Sequence, residues 1–185
     1  LLHYSMAMKS LETLLSGTNP KILIYHNITP ESYFLPYSLT LAGKLVKARR
    51  DLRQIRGRFD ACLAVSAFNS ADLFKLTGEK AEVLPLFFDT PSGSSAQGKS
   101  ESIRLLNVGR IVPNKGHVDL IKILYYLKKL DPGAELIVAG RFPPELKNYR
   151  DEIEQLAAKL GLRESVQLTG FLDDQKLRDL YASSS

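Results

Sequence analysis

Short apolar runs rich in β-formers alternate with helix-patterned stretches along most of this chain, and that alternation restricts the fold more than any other feature. The runs at 22–25, 61–65, 82–87, 103–108, 136–139 and 166–168 read as strands. Between them, 38–59, the stretch from Ser66 to about Leu76, 117–130, 146–160 and 173–182 carry helical spacing. Stop signals fall where helices should end, at Thr77-Gly78, Asp131-Pro132-Gly133 and Gly161. Strand–helix repeats of this kind predict a parallel sheet covered on both faces. In such sheets a ligand sits beyond the carboxyl ends of the strands. Here those positions are 26–30, Ser66, 109–116, 140–144 and 169–172.

The texture changes at 90–102, Thr-Pro-Ser-Gly-Ser-Ser-Ala-Gln-Gly-Lys-Ser-Glu-Ser, which holds no large apolar residue and reads as a linker. Three parts are therefore predicted: an α/β piece at 1–89, the linker at 90–102, and a second α/β piece at 103–185. With 185 residues, 44% hydrophobic and 24% charged, the composition excludes collagen-like, disordered and disulfide-scaffold classes. No apolar run approaches the ~18 residues of a membrane span. Cys62 is the single cysteine, so no internal disulfide or multi-cysteine zinc site can form, and a reducing cytoplasmic setting fits. Within its apolar run Cys62 is expected to be an inert core thiol. The chain starts at Leu1 without a signal-peptide pattern and stops just after a helix-like stretch. We expect it to be an internal piece of a longer protein.

The net charge is +5, and it is concentrated. Seven cations (Lys44, Lys47, Arg49, Arg50, Arg53, Arg56, Arg58) and one acid, Asp51, lie between Lys44 and Arg58. With Leu39, Leu41, Leu45, Val46, Leu52 and Ile55 as the apolar side, this is an amphipathic helix with a basic outer face. A solvated face and contact with an anionic membrane both fit it. Nucleic acid fits poorly, because the run has almost no aromatic residue on which bases could stack.

The strongest local signal is Gly109-Arg110-Ile111-Val112-Pro113-Asn114-Lys115-Gly116, which follows a predicted strand and opens a predicted helix. Two cations five residues apart can converge when the loop folds back, and a helix start adds backbone N–H groups and a positive dipole end. That combination suits a mono- or diphosphate; the alternative is a solvated basic loop. The glycines fit neither the dinucleotide fingerprint nor the Walker loop. Elsewhere, Asp173 and Asp174 read as a helix N-terminus rather than a metal pair. Ser66 reads equally as a helix cap or a ligand-side residue, His117 as serving a helix start, and Tyr125 and Tyr126 as packing residues.

The Gly-Arg-x-x-x-x-Lys-Gly pattern in its strand–loop–helix setting resembles the retaining glycosyltransferases of family 4. Four further stretches agree in order: Ile24-Tyr25-His26-Asn27-Ile28-Thr29-Pro30, Leu63-Ala64-Val65-Ser66 with Phe68-Asn69, Leu136 to Gly140, and Val166 to Leu172. The resemblance implies a GT-B fold, here α/β pieces of two Rossmann-like parallel-sheet domains, acceptor-side first and nucleotide-sugar-binding second. It implies a transferase moving a hexose from a UDP- or GDP-sugar to a glycan or lipid-linked acceptor, in polysaccharide or lipopolysaccharide biosynthesis. The implied setting is cytoplasmic, with peripheral contact at the inner membrane face through the basic helix.

By the same resemblance, Arg110 and Lys115 would bind the donor pyrophosphate and stabilise the leaving nucleotide. Gly109 would let the backbone approach the phosphates. Gly140 and Arg141, at the next strand end, would contact the donor, and backbone near Phe171 and Leu172 would hold the base. His26 would lie near the transferred sugar. No metal and no cofactor beyond the donor substrate is implied. A family segment of Glu, seven residues and Glu has no counterpart up to Ser185, so this piece alone is not expected to turn over. A non-catalytic nucleotide-sugar-binding subunit on the same fold is the alternative.

Overall fold

The computed structural model describes residues 1–8, 11–87 and 102–184. The chain divides into two units, Leu1–Asp89 and Thr90–Ser185. Apart from Ser102, the expected linker at 90–102 lies outside the described residues.

The first unit runs β1 (Leu2–Tyr4), α1 (Leu11–Leu15), β2 (Ile22–Tyr25), α2 (Leu39–Gln54), β3 (Ala61–Ala64), α3 (Ala67–Thr77) and β4 (Glu82–Val83). Its strands form one sheet in the order β1-β2-β3-β4, every neighbour parallel. β1 and α1 add to the elements read from the sequence. Ser38 caps α2 by accepting from the Leu41 N–H at 3.3 Å, and Ser66 caps α3 by accepting from the Asn69 N–H at 3.2 Å. Of the two readings of Ser66, the cap is therefore the one observed. Gly78, at φ 79°, closes α3 in the left-handed conformation that glycine adopts without a Cβ penalty.

Two expectations for this unit need correction. The buried stripe of α2 is Ala42, Leu45, Ala48 and Leu52, with Ile55 just beyond its end. Leu39 and Val46 are 76% and 50% exposed. Small alanines complete the three-and-four spacing toward the sheet, and that leaves Leu39 and Val46 on the outer side. The strand expected at 82–87 pairs only over Glu82 and Val83. Leu84 adds one bond to the Ala64 carbonyl (2.8 Å). β3 ends there because Ser66 starts a helix, so Pro85, Leu86 and Phe87 have no partner strand.

The second unit runs β5 (Arg104–Val108), α4 (His117–Leu127), β6 (Glu135–Ala139), α5 (Lys147–Lys159), β7 (Val166–Gly170) and α6 (Asp174–Ser183). Its sheet is parallel in the order β5-β6-β7. β6 is central and buried from Leu136 to Ala139, which is why it reads as an unbroken apolar run. α4 buries His117, Ile121 and Leu124, and α5 buries Tyr149, Ile153 and Ala157. Spacings of three and four residues put each set on one helical face, and α4 packs against α5.

α4 ends at Leu127 rather than 130. The chain there tightens into turns as the Asp131 carboxylate accepts from the backbone of Ile103 (2.6 Å) and Gly133 (3.0 Å). β7 continues to Gly170, past the expected end at 168, because the ladder resumes after a bulge and pairs Ala139 with Gly170. Asp173 caps α6 by accepting from the Lys176 N–H at 2.9 Å, the helix-start role expected of it. Among the described residues no group of three or more His, Cys, Asp or Glu could hold a metal ion. Nor is any described helix long and apolar enough to cross a membrane.

Candidate functional site

Each strand of the second sheet gives way to a glycine at its carboxyl end, and backbone bonds tie the three ends together. Gly109 N–H donates to the Ala139 carbonyl (2.9 Å) and Gly140 N–H to the Gly170 carbonyl (2.8 Å). Ile111 N–H donates to the Arg141 carbonyl at 2.9 Å, which binds the loop after β5 to the loop after β6. A Cβ built on Gly140 would stand 1.8 Å from the Gly109 carbonyl oxygen, so only glycine fits at this crossing.

A cavity of about 270 Å³ opens at these strand ends. Gly109, Arg110, Gly140, Arg141, Phe171 and Leu172 all line it, with Val108, Ala139 and Leu177 behind them. The Arg141 guanidinium carbon lies 4.6 Å from the centre of the Phe171 ring, a cation–π stack that gives the cavity one wall. Phe171 remains 67% exposed, an unusual position for a ring with no burial to gain. Arg110 is exposed and also lines it.

Lys115 is placed differently. It ends a short 3-10 turn, Pro113–Lys115, is exposed, and does not line the cavity. The helix start beside it is partly used within the protein. The His117 and Val118 backbone N–H groups face the Tyr149 hydroxyl, and His117 Nδ1 lies 3.2 Å from that same oxygen. Burial is the main cause that raises the Tyr149 hydroxyl to about 12. His117 is fully buried. Burial pulls its pKa below the ordinary histidine value, the Val112 carbonyl opposes this, and the nearby Lys115 charge adds to it. Tyr149 is absent from the sequence reading because it reaches α4 from 32 residues away.

In the first unit, His26 follows β2. Its backbone N–H donates to the Tyr4 carbonyl at 3.0 Å. Its Nε2 lies 2.7 Å from Nδ1 of His3, and the two rings meet edge to edge, nearly coplanar, with centres 5.0 Å apart. The next residue, Asn27, takes φ 74°, the left-handed region that few residues other than glycine adopt. The loop is then clamped. Ile28 N–H donates to the Tyr25 hydroxyl (3.2 Å), which donates to Asp72 (2.6 Å), while Arg49 donates to the Ile28 carbonyl (2.5 Å). Arg49 and Asp72 stand 3.9 Å apart. Burial, then the bond to Asp72, raises the Tyr25 pKa well above that of a free tyrosine, so it stays a hydroxyl donor.

That clamp revises the reading of the basic helix as one outer face. Arg49 is turned inward, Lys47 pairs with Asp51, and Arg58 pairs with Glu12 (2.8 Å). Lys44, Arg50, Arg53 and Arg56 are exposed. Cys62 is half-buried, and burial raises its thiol, which keeps it protonated. Tyr126 is 64% exposed rather than packed. The Lys129 ammonium sits 4.9 Å from the ring centres of both Tyr125 and Tyr126.

Two parallel-sheet α/β units with a cationic, glycine-bounded cavity at the strand ends of the second place the chain among the open α/β folds, in which ligands bind beyond the carboxyl ends of the strands. Residues 94–185 match the family Glycosyl transferases group 1. Over 122 residues the chain is 32% identical to the uncharacterized glycosyltransferase YqgM of Bacillus subtilis (strain 168), covering 65% of this chain and 33% of that protein. Among solved structures it is similar to Anabaena Alr3699/HepE in complex with UDP and glucose (TM-score 0.64, 22% identity). That match covers 90% of this chain and 45% of the other. It is also similar to sucrose-phosphate synthase from Thermosynechococcus elongatus (TM-score 0.67, 16% identity, covering 94% and 45%). WaaG, a glycosyltransferase of lipopolysaccharide biosynthesis, matches at TM-score 0.59 and 17% identity, covering 95% and 54%. The chain thus spans about a third to a half of the length of these relatives. It carries a glycosyl transferases group 1 domain, and its two parallel sheets match part of the GT-B fold.

Proposed function

We propose that the second unit holds the nucleotide-sugar donor of a retaining glycosyltransferase, with the first unit on the acceptor side. In this reading the donor is a UDP- or GDP-hexose and the acceptor a glycan or lipid-linked sugar. The single observation that carries the donor half is the convergence of Gly109, Arg110, Gly140, Arg141, Phe171 and Leu172 on one cavity at three parallel strand ends. Six of the seven residues expected to contact the donor stand there together. The family match over the same stretch and the UDP bound in HepE support it further.

The chemistry follows from charge. As the bond from the sugar to the diphosphate breaks, negative charge grows on the leaving phosphate. Arg110 on the cavity wall and Lys115 at the turn before α4 are cations placed before that charge appears, so little reorganisation is needed. The Arg141–Phe171 stack offers a flat surface for a base, and backbone at Phe171 and Leu172 offers it hydrogen bonds. His26 takes the sugar-side role on the first unit. The 185-residue stretch binds donor in this reading but does not turn it over unaided.

The exposed cations Lys44, Arg50 and Arg53 of α2 and Arg56 just beyond its end, with Leu39 and Val46 exposed on the same helix, suit the surface of an anionic membrane, where a lipid-linked acceptor would be met. The test of the donor reading is turnover of the full reading frame with and without Lys115→Ala. Loss of one preorganised cation is expected to lower kcat by about 10²–10³. Wild-type turnover in the variant would refute the role assigned to Lys115.

A further inference from the structure

His3 stands at the middle of β1, one residue before the strand ends, and His26 directly follows β2, its parallel neighbour. The registers Leu2 with Leu23 and Tyr4 with Tyr25, and the bond from His26 N–H to the Tyr4 carbonyl, fix the two backbones side by side. Their rings are then brought together by their edges. They meet edge to edge and nearly coplanar, with planes 24° apart and centres 5.0 Å apart, and Nδ1 of His3 lies 2.7 Å from Nε2 of His26.

A contact of that length between ring nitrogens is a hydrogen bond, and it requires one proton between them. Two protonated nitrogens cannot face each other at this distance, and two bare ones make no bond. The consequence is specific. Nε2 of His26 is committed to His3, which leaves Nδ1 as the only ring atom through which His26 can meet anything else. The backbone that carries the ring is held equally firmly, by the left-handed Asn27 and by the Tyr25, Asp72 and Arg49 clamp on Ile28.

We propose that His3 is a positioning residue for His26, fixing the plane and the tautomer of its ring so that Nδ1 is the atom His26 presents. Its bearing on sugar transfer rests on the reading of His26 given above, whereas the ring pair itself does not. Among the described residues, other charges do not supply this control. Arg49 of α2 and Asp72 of α3, the ionised groups directed at this loop, are engaged with Ile28, Tyr25 and each other. β3 contributes only Ala61, Cys62, Leu63 and Ala64. Burial and the neighbouring His3 both hold the His26 pKa below the ordinary value.

The experiment is nitrogen-15 imidazole spectroscopy of the 185-residue chain, at a pH above the His26 titration and through it, for wild type and His3→Phe. Phenylalanine keeps an aromatic ring at an exposed strand position and removes both ring nitrogens. In wild type, His26 is expected in a single tautomer, with one of the two facing nitrogens protonated and the other bare. In His3→Phe it is expected to relax to a mixture of tautomers and to titrate closer to an ordinary histidine. A tautomer mixture in wild type overturns the proposal, as does a His26 spectrum and titration unchanged by His3→Phe. If the variant fails to fold, the wild-type tautomer decides alone. No donor or turnover is needed. Failure to bind donor would therefore overturn the proposed function and leave this inference standing, and an unchanged spectrum would do the reverse.

Discussion

The Gly109 carbonyl oxygen occupies the space a side chain at Gly140 would need: a Cβ there would lie 1.8 Å away. The obstruction is backbone, so no rotamer change can relieve it. Gly140→Ala is expected to push the β5 and β6 loop ends apart. Overpacking of this kind typically costs about 1–3 kcal/mol, and a backbone clash belongs at the upper end. Urea unfolding followed by circular dichroism reads the cost. The same variant is expected to weaken nucleotide binding, because the displaced backbone carries Arg110 and Arg141.

His117 makes the stability of the second unit depend on pH. It is fully buried, and its folded pKa lies below the unfolded value. As pH falls, the unfolded chain therefore takes up the proton first. The neutral ring's contribution is complete above about pH 6.5, the ordinary histidine value. It is lost as pH falls toward the folded pKa, at up to about 1.4 kcal/mol per pH unit. Wild type should lose stability faster than His117→Gln between neutral and mildly acidic pH. His26 titrates in both proteins and cancels in the difference.

The proposed membrane contact through α2 has a clear ionic signature. Each cation near an anionic surface contributes about 1 kcal/mol, and exposed charge is screened by salt. The chain is expected to sediment with vesicles of phosphatidylglycerol and phosphatidylcholine at low salt, and to release as salt rises. Reversing Arg50 and Arg53 to Glu should abolish the binding. Equal binding to pure phosphatidylcholine would show that charge is not the cause.

Much of this architecture is legible in the sequence because it rests on local rules. The Ser66 and Asp173 caps, the glycine stop at Gly78 and the apolar run of β6 each follow from a few adjacent residues. What the sequence does not disclose depends on distant partners. Arg49 looks like one more cation on a basic face until Asp72 and the Ile28 carbonyl are found beneath it. Leu39 and Val46 look like core until Ala42 and Ala48 take that side. Tyr149 reaches the start of α4 only through tertiary packing, and His3 meets His26 only through strand pairing. Family resemblance groups the residues expected to contact a donor, and the cavity brings six of them together while leaving Lys115 outside its lining.

The central claim is that the cavity at the β5, β6 and β7 ends takes a nucleoside diphosphate. The most direct measurement is a two-dimensional NMR titration of the 185-residue chain with UDP and with GDP, repeated on Arg110→Ala. The account predicts saturable shifts at Gly109, Arg110, Gly140, Arg141, Phe171 and Leu172 with at least one of the two nucleotides, and much weaker binding in the variant. No shift at these residues with either nucleotide, or equal affinity in Arg110→Ala, would contradict it.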